Sequence, residues 1–459
     1  MLSGDEIMKE KKTHNIDMLN GSLLKKILIF SLPLAASSIL QQLFNSIDVA
    51  VVGKFATSQD QAAVGCSSAL INLIINLFVG VSVGANVVIA NFIGQKEYKK
   101  VKDAVHTSII IALISGIFLM VLGILIARPV LSLMGTPDDT IDLAVLYLRI
   151  YFIGMPFIML YNFGSAILRS IGDTKRPMFS LIIAGVINAA LNMLFVIVFK
   201  MGVAGVGIAT VISNVVSSSI IIYLLLHEDE PVRLSPGELK ITKPELMKML
   251  RIGIPSGLQG MVFSFANVYI QSAINGFGSD AVAGSSIALN FEYFSYFMVS
   301  AFDQAVVTFV SQNYGAGKID RCKKTFYVAM ACSVAITFVM TMAFSQGRYL
   351  FVSLFTSNPE VAEYAAIRMQ RVLTIYIILN SYEISGSALR GLGYSMTPAL
   401  LTVFGTCVLR LAWIYTVFAK VHTYEMLLNV YPVSWVITGT MVVIAYFKIS
   451  RKVYGRNLR

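Results

Sequence analysis

The chain has 459 residues, 56% of them hydrophobic and 13% charged, with a mean hydropathy of +0.74. Soluble proteins carry about 25% charged residues, so the composition excludes a disordered chain, a disulfide scaffold and a water-soluble enzyme. An all-α integral membrane protein is expected. The net charge of +11 does not point to nucleic acid, because Lys and Arg sit in short runs between apolar stretches, as topology signals do.

Residues 1–26 form a polar tail, and the first apolar run is longer than a signal-peptide core, so no cleavage is expected. A spanning helix needs about 20 mostly apolar residues. Twelve stretches qualify: 27–53, 62–93, 104–127, 139–163, 177–199, 204–226, 250–275, 281–311, 325–346, 361–387, 397–420 and 427–447. A Pro-rich charged linker, HEDEPVRLSPGELKITKPEL within 227–249, divides them six and six. The expected organisation is therefore an N-terminal six-helix bundle over 27–226, the linker, a C-terminal bundle over 250–447, and a basic tail over 448–459. With a cytoplasmic N-terminus, 27 of the 36 Lys and Arg fall on inner segments and five on outer loops. That bias predicts both termini in the cytoplasm and a cell (inner) membrane location.

The two sixes resemble each other. AILRSIGDTKRP from Ala166 aligns with ALRGLGYSMTP from Ala388, placing Arg169 on Arg390 and Gly172 on Gly393 at an offset of 221. The same offset places Gly94 on Gly315, and Pro33 pairs with Pro255 at 222. Six spans return the chain to its starting side, so the copies share one orientation and are related by an axis along the membrane normal. This parallel 6+6 repeat predicts two bundles around a central cleft.

SLPLAASSILQQLFNSIDVAVVG in the first span, AILRSIGDTKRP after the fourth and INAALNMLFVIVFKMGVAGVGIAT across the fifth and sixth resemble the multidrug and toxic compound extrusion (MATE) transporters of bacterial type. In the second half, FVSQNYGAGK and ALRGLGYSMTP are similar to the same family. The resemblance covers roughly 25–445. It implies an antiporter that exports organic cations in exchange for Na⁺ or H⁺. The chain departs from the family at Asn192, where the fifth span often carries Asp. Phe263 and Leu379 fall near positions that hold carboxylates in the Na⁺-coupled branch. The coupling ion, Na⁺ or H⁺, is left open.

Ionised side chains within spans are costly and so mark candidate sites. In chain order, Gln41, Asn45 and Asp48 fall at i, i+4 and i+7, a polar stripe on an apolar helix. Asp48 also matches the family's first-span Asp. A carboxylate flanked by amide oxygens can hold Na⁺ or take a proton; a structural carboxylate bonded to a neighbouring helix is the alternative. Asn188 and Asn192, one turn apart, either complete that site or act as interhelical amide glue. Glu292 with Tyr293 and Tyr296 offers Coulomb attraction and cation–π contact to an organic cation, or pairs with Arg410 or another buried Arg. Glu383 shares a stripe with Tyr376 and Asn380, the remaining candidates for substrate binding. Asp303, nearer the inner end, is a further candidate, with pairing to a basic loop residue as the alternative. Pro33 and Pro255 are candidates for bending and Arg410 for gating or charge balance, each with an ordinary structural alternative.

No P-loop, no H-E-x-x-H motif and no Cys pair with metal-ligand spacing is present in the sequence. The expected function is therefore secondary active antiport by alternating access, without a bound cofactor and by a monomer, because two halves can build a complete path. A flippase for a lipid-linked saccharide or another amphipathic lipid is the alternative.

Overall fold

The computed structural model describes residues 15–456, and no strand occurs among them. In the first half, α1 (Leu23–Phe55), α2 (Ser58–Gln95) and α3 (Tyr98–Leu133) are long and continuous. They precede the bent pair α4 (Ile141–Ile153) and α5 (Met155–Ser170), then α6 (Lys175–Asn192) and α7 (Gly202–Leu226). The second half repeats the pattern with α8 (Lys243–Asn275), α9 (Ser279–Gly315) and α10 (Ile319–Gln346), followed by the short α11 (Arg348–Ser353). Next come the bent pair α12 (Pro359–Arg368) and α13 (Leu379–Gly391), then α14 (Met396–Val403), α15 (Leu409–Trp413), the short α16 (Tyr424–Leu428) and α17 (Val430–Arg456).

Among the described residues nine helices are long and apolar enough to cross a membrane, and the two bent pairs raise the number to 11. The twelfth crossing is α8. It has 33 residues, but Gln259, Asn267 and Gln271 make it too polar to qualify on composition. The fourth span bends by 45° at Gly154, where Pro156 in the first turn of α5 lacks an amide donor, and the tenth bends by 41°. A π-helical turn at Met369–Leu373 precedes that second bend. The repeat also reaches finer detail. The π-helical turns at Met193–Val198 and Ile414–Phe418 start at positions the 221 offset makes equivalent.

Both ends of the described chain lie on one face. Arg321 donates from Nε to the Met18 carbonyl at 2.9 Å, while the Lys323 ammonium sits 5.5 Å from the Tyr454 ring. The two halves meet toward this terminal face. On α2, Gly80 and Gly84 leave no space for a Cβ against the backbone of α8 around Gly253 and Gly257. Closer to the face the contact is reciprocal, as in a two-fold interface. Gly94 packs on the Gln312 carbonyl and Gly315 on the Asn91 carbonyl, and the 221 offset exchanges the two pairs. Asn91 donates to the Ser311 carbonyl at 3.2 Å and Thr308 to the Asn86 side chain at 3.0 Å. A side chain larger than hydrogen at these glycines would push the halves apart.

The linker docks on α3. His106 accepts the Ser235 amide at 3.1 Å, and Lys102 pairs with Glu238 at 2.5 Å and Glu230 at 3.5 Å. The hydrogen bond from Lys102 holds the Glu238 carboxyl below its ordinary range.

The helices start earlier than the apolar runs predict. Because α1 begins at Leu23 and α8 at Lys243, Pro33 and Pro255 are buried inside their helices rather than in the first turn. Each removes a ladder donor from a continuous helix. The reading of either as an ordinary helix-start proline is corrected.

Candidate functional site

Three polar clusters are buried in this frame. The first lies in the first half. Asp48 of α1 is 9% exposed and accepts a hydrogen bond from Nδ2 of Asn192 on α6. The same amide donates to Oδ1 of Asn188 at 3.1 Å, leaving Oδ1 of Asn192 without a partner. The rings of Tyr147 and Tyr151 on α4 lie within electrostatic reach of the carboxylate. Among the described residues, no Lys, Arg or His forms an ion pair with Asp48. An amide-lined carboxylate with no counter-cation can take up a small cation or a proton.

The predicted polar stripe does not close over this site. α1 turns its Phe44–Asp48 edge to α6, with the Phe44 ring packed on Gly185. Gln41 and Asn45 fall on the flank of that edge and are exposed. They do not join Asp48, Asn188 and Asn192, which is a correction to the five-residue cluster expected from helical spacing.

The second cluster lies within the second half. Glu292 of α9 is gripped by Arg368 through both oxygens, Nε to Oε1 at 2.7 Å and Nη2 to Oε2 at 3.1 Å. Tyr376 donates to the Glu292 carbonyl at 3.2 Å, and Arg368 also donates to the Tyr431 hydroxyl at 3.3 Å. A cavity of about 300 Å³ opens here, and Glu292, Tyr293, Tyr296 and Tyr376 all line it. Four of the six residues singled out for substrate binding thus come together, but the charge is corrected. Arg368 neutralises Glu292, so the cavity does not present a free carboxylate. Arg410 instead donates to Asn267 at 3.2 Å and Ser434 at 3.4 Å, with its guanidinium 4.8 Å from the Tyr431 ring centre. Asn380 is buried against α10, accepting from Ser333 at 2.5 Å and donating to the Ile377 carbonyl. It lies off the cavity.

The third cluster lies between the halves, around a cavity of about 200 Å³ lined by residues of α2, α5, α8, α9, α13 and α14. Glu383, Asp303, Arg390 and Arg169 all face it. Ser387 donates to Asp303, Arg390 lies 3.6 Å from the same oxygen, and Arg390 also donates to Gln259 at 3.0 Å. Tyr296 lines this cavity as well as the aromatic one, so the two adjoin. Helical spacing grouped Glu383 with Tyr376 and Asn380; the three face apart, Tyr376 lining the aromatic cavity, Glu383 the central one and Asn380 neither. Sequence reasoning missed Asp303 and Arg169 as members of one site. The signal was available, because the repeat pairs Arg169 with Arg390 and the halves of such a repeat face a common axis.

The model of the MatE family matches residues 33–194 and 255–416, one segment in each half, beginning at Pro33 and at Pro255. The probable multidrug resistance protein YoeA of Bacillus subtilis (strain 168) is 27% identical over 390 residues, covering 83% of this chain and 84% of that protein. The probable multidrug resistance protein NorM of Thermotoga maritima is 25% identical over 407 residues, covering 84% of each. Among solved structures, a MATE protein in a bent conformation aligns with a TM-score of 0.90 at 22% identity, covering 98% of this chain and all of that one. A MOP superfamily transporter from Pyrococcus furiosus, described as having a binding pocket of reverse polarity, gives 0.88 at 23% with the same coverage of this chain. At these identities the structures establish the fold alone.

Proposed function

The chain belongs to the MatE family, and from that premise we propose that it is a secondary active antiporter exporting amphipathic organic cations in exchange for inward Na⁺ or H⁺. The observation that carries the coupling role is Asp48, a buried carboxylate that accepts from the Asn192 amide and, among the described residues, forms no ion pair. A proton or a Na⁺ arriving there changes the charge between α1 and α6. Asn188 and Asn192 supply amide oxygens for a metal ion, as a hard cation requires.

The direction of cycling follows from where the halves touch. We place the terminal face in the cytoplasm of an inner membrane, as the basic-residue bias requires. The reciprocal contacts of Gly94 and Gly315 then close the cytoplasmic side. Opening that side breaks a set of glycine-mediated contacts with little interdigitation, which suits rocking of one half against the other. The organic cation is placed in the central cavity, where Glu383 offers its charge and Tyr296 leads to the aromatic cavity of the second half. Each half contributes to one path, so a monomer suffices. The lipid flippase reading is not favoured, since two carboxylates match the two arginines of this cavity and leave no net positive charge for a pyrophosphate.

The test is efflux of the cationic dye ethidium from vesicles reconstituted with the full chain, driven by an imposed pH gradient or by an imposed Na⁺ gradient. Efflux under one of them identifies the coupling ion. Efflux under neither rejects the antiport reading.

A further inference from the structure

A third cavity, of about 430 Å³, opens between the halves near the terminal face, and it shares no residue with the central or the aromatic cavity. Phe92 and Lys100 of the first half and Lys248, Arg251 and Gly393 of the second line it, and the lining contains no acid among the described residues. Lys100 pairs with the adjacent Glu97 at 3.3 Å, and the Lys248 ammonium lies 4.7 Å from the centre of the Phe92 ring. Among the described residues neither Lys248 nor Arg251 makes an ion pair or a side-chain hydrogen bond. Two uncommitted positive charges therefore face one open space.

The repeat supplies a filled copy of the same place. At the 221 offset Phe92, Lys100 and Gly393 correspond to Asn313, Arg321 and Gly172, and at 222 Lys248 corresponds to Lys26. There the segment 15–22 lies across the site. The Met18 carbonyl accepts from Arg321 at 2.9 Å and from Asn313 at 3.2 Å, and Lys318 donates to the Leu19 carbonyl at 2.9 Å. Lys26 donates to the Asn20 carbonyl at 2.7 Å and pairs with the Asp17 carboxylate at 3.6 Å. A Cβ on Gly172 would come within 2.6 Å of the Ile16 carbonyl oxygen, whereas one on Gly393, at nearly the same positive φ, would meet nothing within 4 Å. The chain before α8 does not cross the open copy, because 235–242 is held on α3 by His106, Thr107 and Asp103. Both copies present three cations, Lys26, Lys318 and Arg321 in the filled one and Lys100, Lys248 and Arg251 in the open one. Only the first set has its oxygens.

We propose that the open copy binds a phosphate group, carried by an anionic lipid headgroup or by soluble phosphate, whose oxygens take the place that carbonyls and Asp17 hold in the filled copy. A phosphate concentrates several acceptor oxygens on one small anion, and the Arg251 guanidinium can grip two of them while Lys248 meets a third. The missing side chain at Gly393 leaves room for the group beside the backbone. Lys100 belongs to the first half and Lys248 and Arg251 to the second, so the bound group ties the halves together at the terminal face. The site is independent of the export path and of the ion that drives it.

The test is the unfolding temperature of the full chain in nonionic detergent micelles. One arm adds inorganic phosphate, against chloride at matched ionic strength; the other adds dioctanoyl phosphatidylglycerol, against dioctanoyl phosphatidylcholine. A rise of about 2 °C or more is expected in at least one arm. A rise with phosphatidylglycerol alone assigns the group to a lipid headgroup, and a rise with inorganic phosphate shows that the soluble ion suffices. Lys248→Gln/Arg251→Gln should abolish the rise. Lys248→Arg/Arg251→Lys should keep it, which guards against a folding defect in the glutamine variant. Lys448→Gln/Arg451→Gln removes the same charge from exposed positions of α17 on the same face and should also keep it. No rise in either arm would overturn the proposal. So would a rise that survives Lys248→Gln/Arg251→Gln, or one that falls equally in the α17 variant.

Discussion

Asp48 in the first half and Glu292 in the second are buried to a similar degree, 9% and 7% exposed, yet they meet opposite surroundings. Asp48 accepts from the amide of Asn192, whereas both oxygens of Glu292 are taken by Arg368. A carboxylate locked to a guanidinium has its charge cancelled within the fold and no capacity to exchange ions. One held by amides keeps its charge available to whatever enters. Burial alone therefore does not mark a coupling site; the identity of the donor does.

The sharpest way to break this comparison is to remove one partner of the locked pair. Arg368→Met leaves Glu292 buried without a cation, which typically costs about 3–5 kcal/mol. A marked fall in the unfolding temperature of the purified protein is expected, and the double variant Arg368→Met/Glu292→Leu should recover most of it. No fall in the single variant would mean that the ion pair is not structural. A smaller loss is expected for Asn192→Leu, which removes the hydrogen bond to Asp48 and leaves the carboxylate unsatisfied, at about 1–3 kcal/mol. Gradient-driven dye efflux should fall in the same variant. The smallest effect is expected at Gln41 and Asn45, whose exposed side chains lie off the site. Replacing either with Leu should change stability by no more than about 0.5 kcal/mol and leave efflux unaltered. Lost efflux there would bring these residues back into the coupling site.

Acid provides a milder probe outside the spans. The Glu238 carboxyl is held below its ordinary range by Lys102. Its contribution to docking the linker on α3 is present above the ordinary glutamate range and is lost as pH falls through the lowered value. Weaker hydrogen-exchange protection over 230–242 at acid pH, relative to the intrinsic exchange rate at each pH, is the expected result.

The crossings were legible because apolar runs and basic loops repeat with a fixed alternation. Even α8, which carries Gln259, Asn267 and Gln271, shows as the apolar run 250–275. The bends were only half legible. Pro156 signals the first, while the second rests on π and 3₁₀ turns that no residue announces. The pairing of Glu292 with Arg368 links positions 76 residues apart and depends on packing of α9 against α12, so spacing within a helix could not supply it. The stripe from Gln41 to Asp48 failed for a related reason. Periodicity shows which residues share a helix face, and the Phe44–Gly185 contact decides how much of that face meets α6.

The central claim is that the donor set separates a coupling carboxylate from a structural one. Measuring gradient-driven efflux and unfolding temperature for Asp48→Asn and Glu292→Gln side by side tests it most directly. Asp48→Asn should lose efflux and keep its unfolding temperature, since the isosteric amide preserves the packing with α6. Glu292→Gln should lower the unfolding temperature by leaving Arg368 buried without its counter-ion. An Asp48→Asn protein that still couples efflux to the gradient would contradict the account.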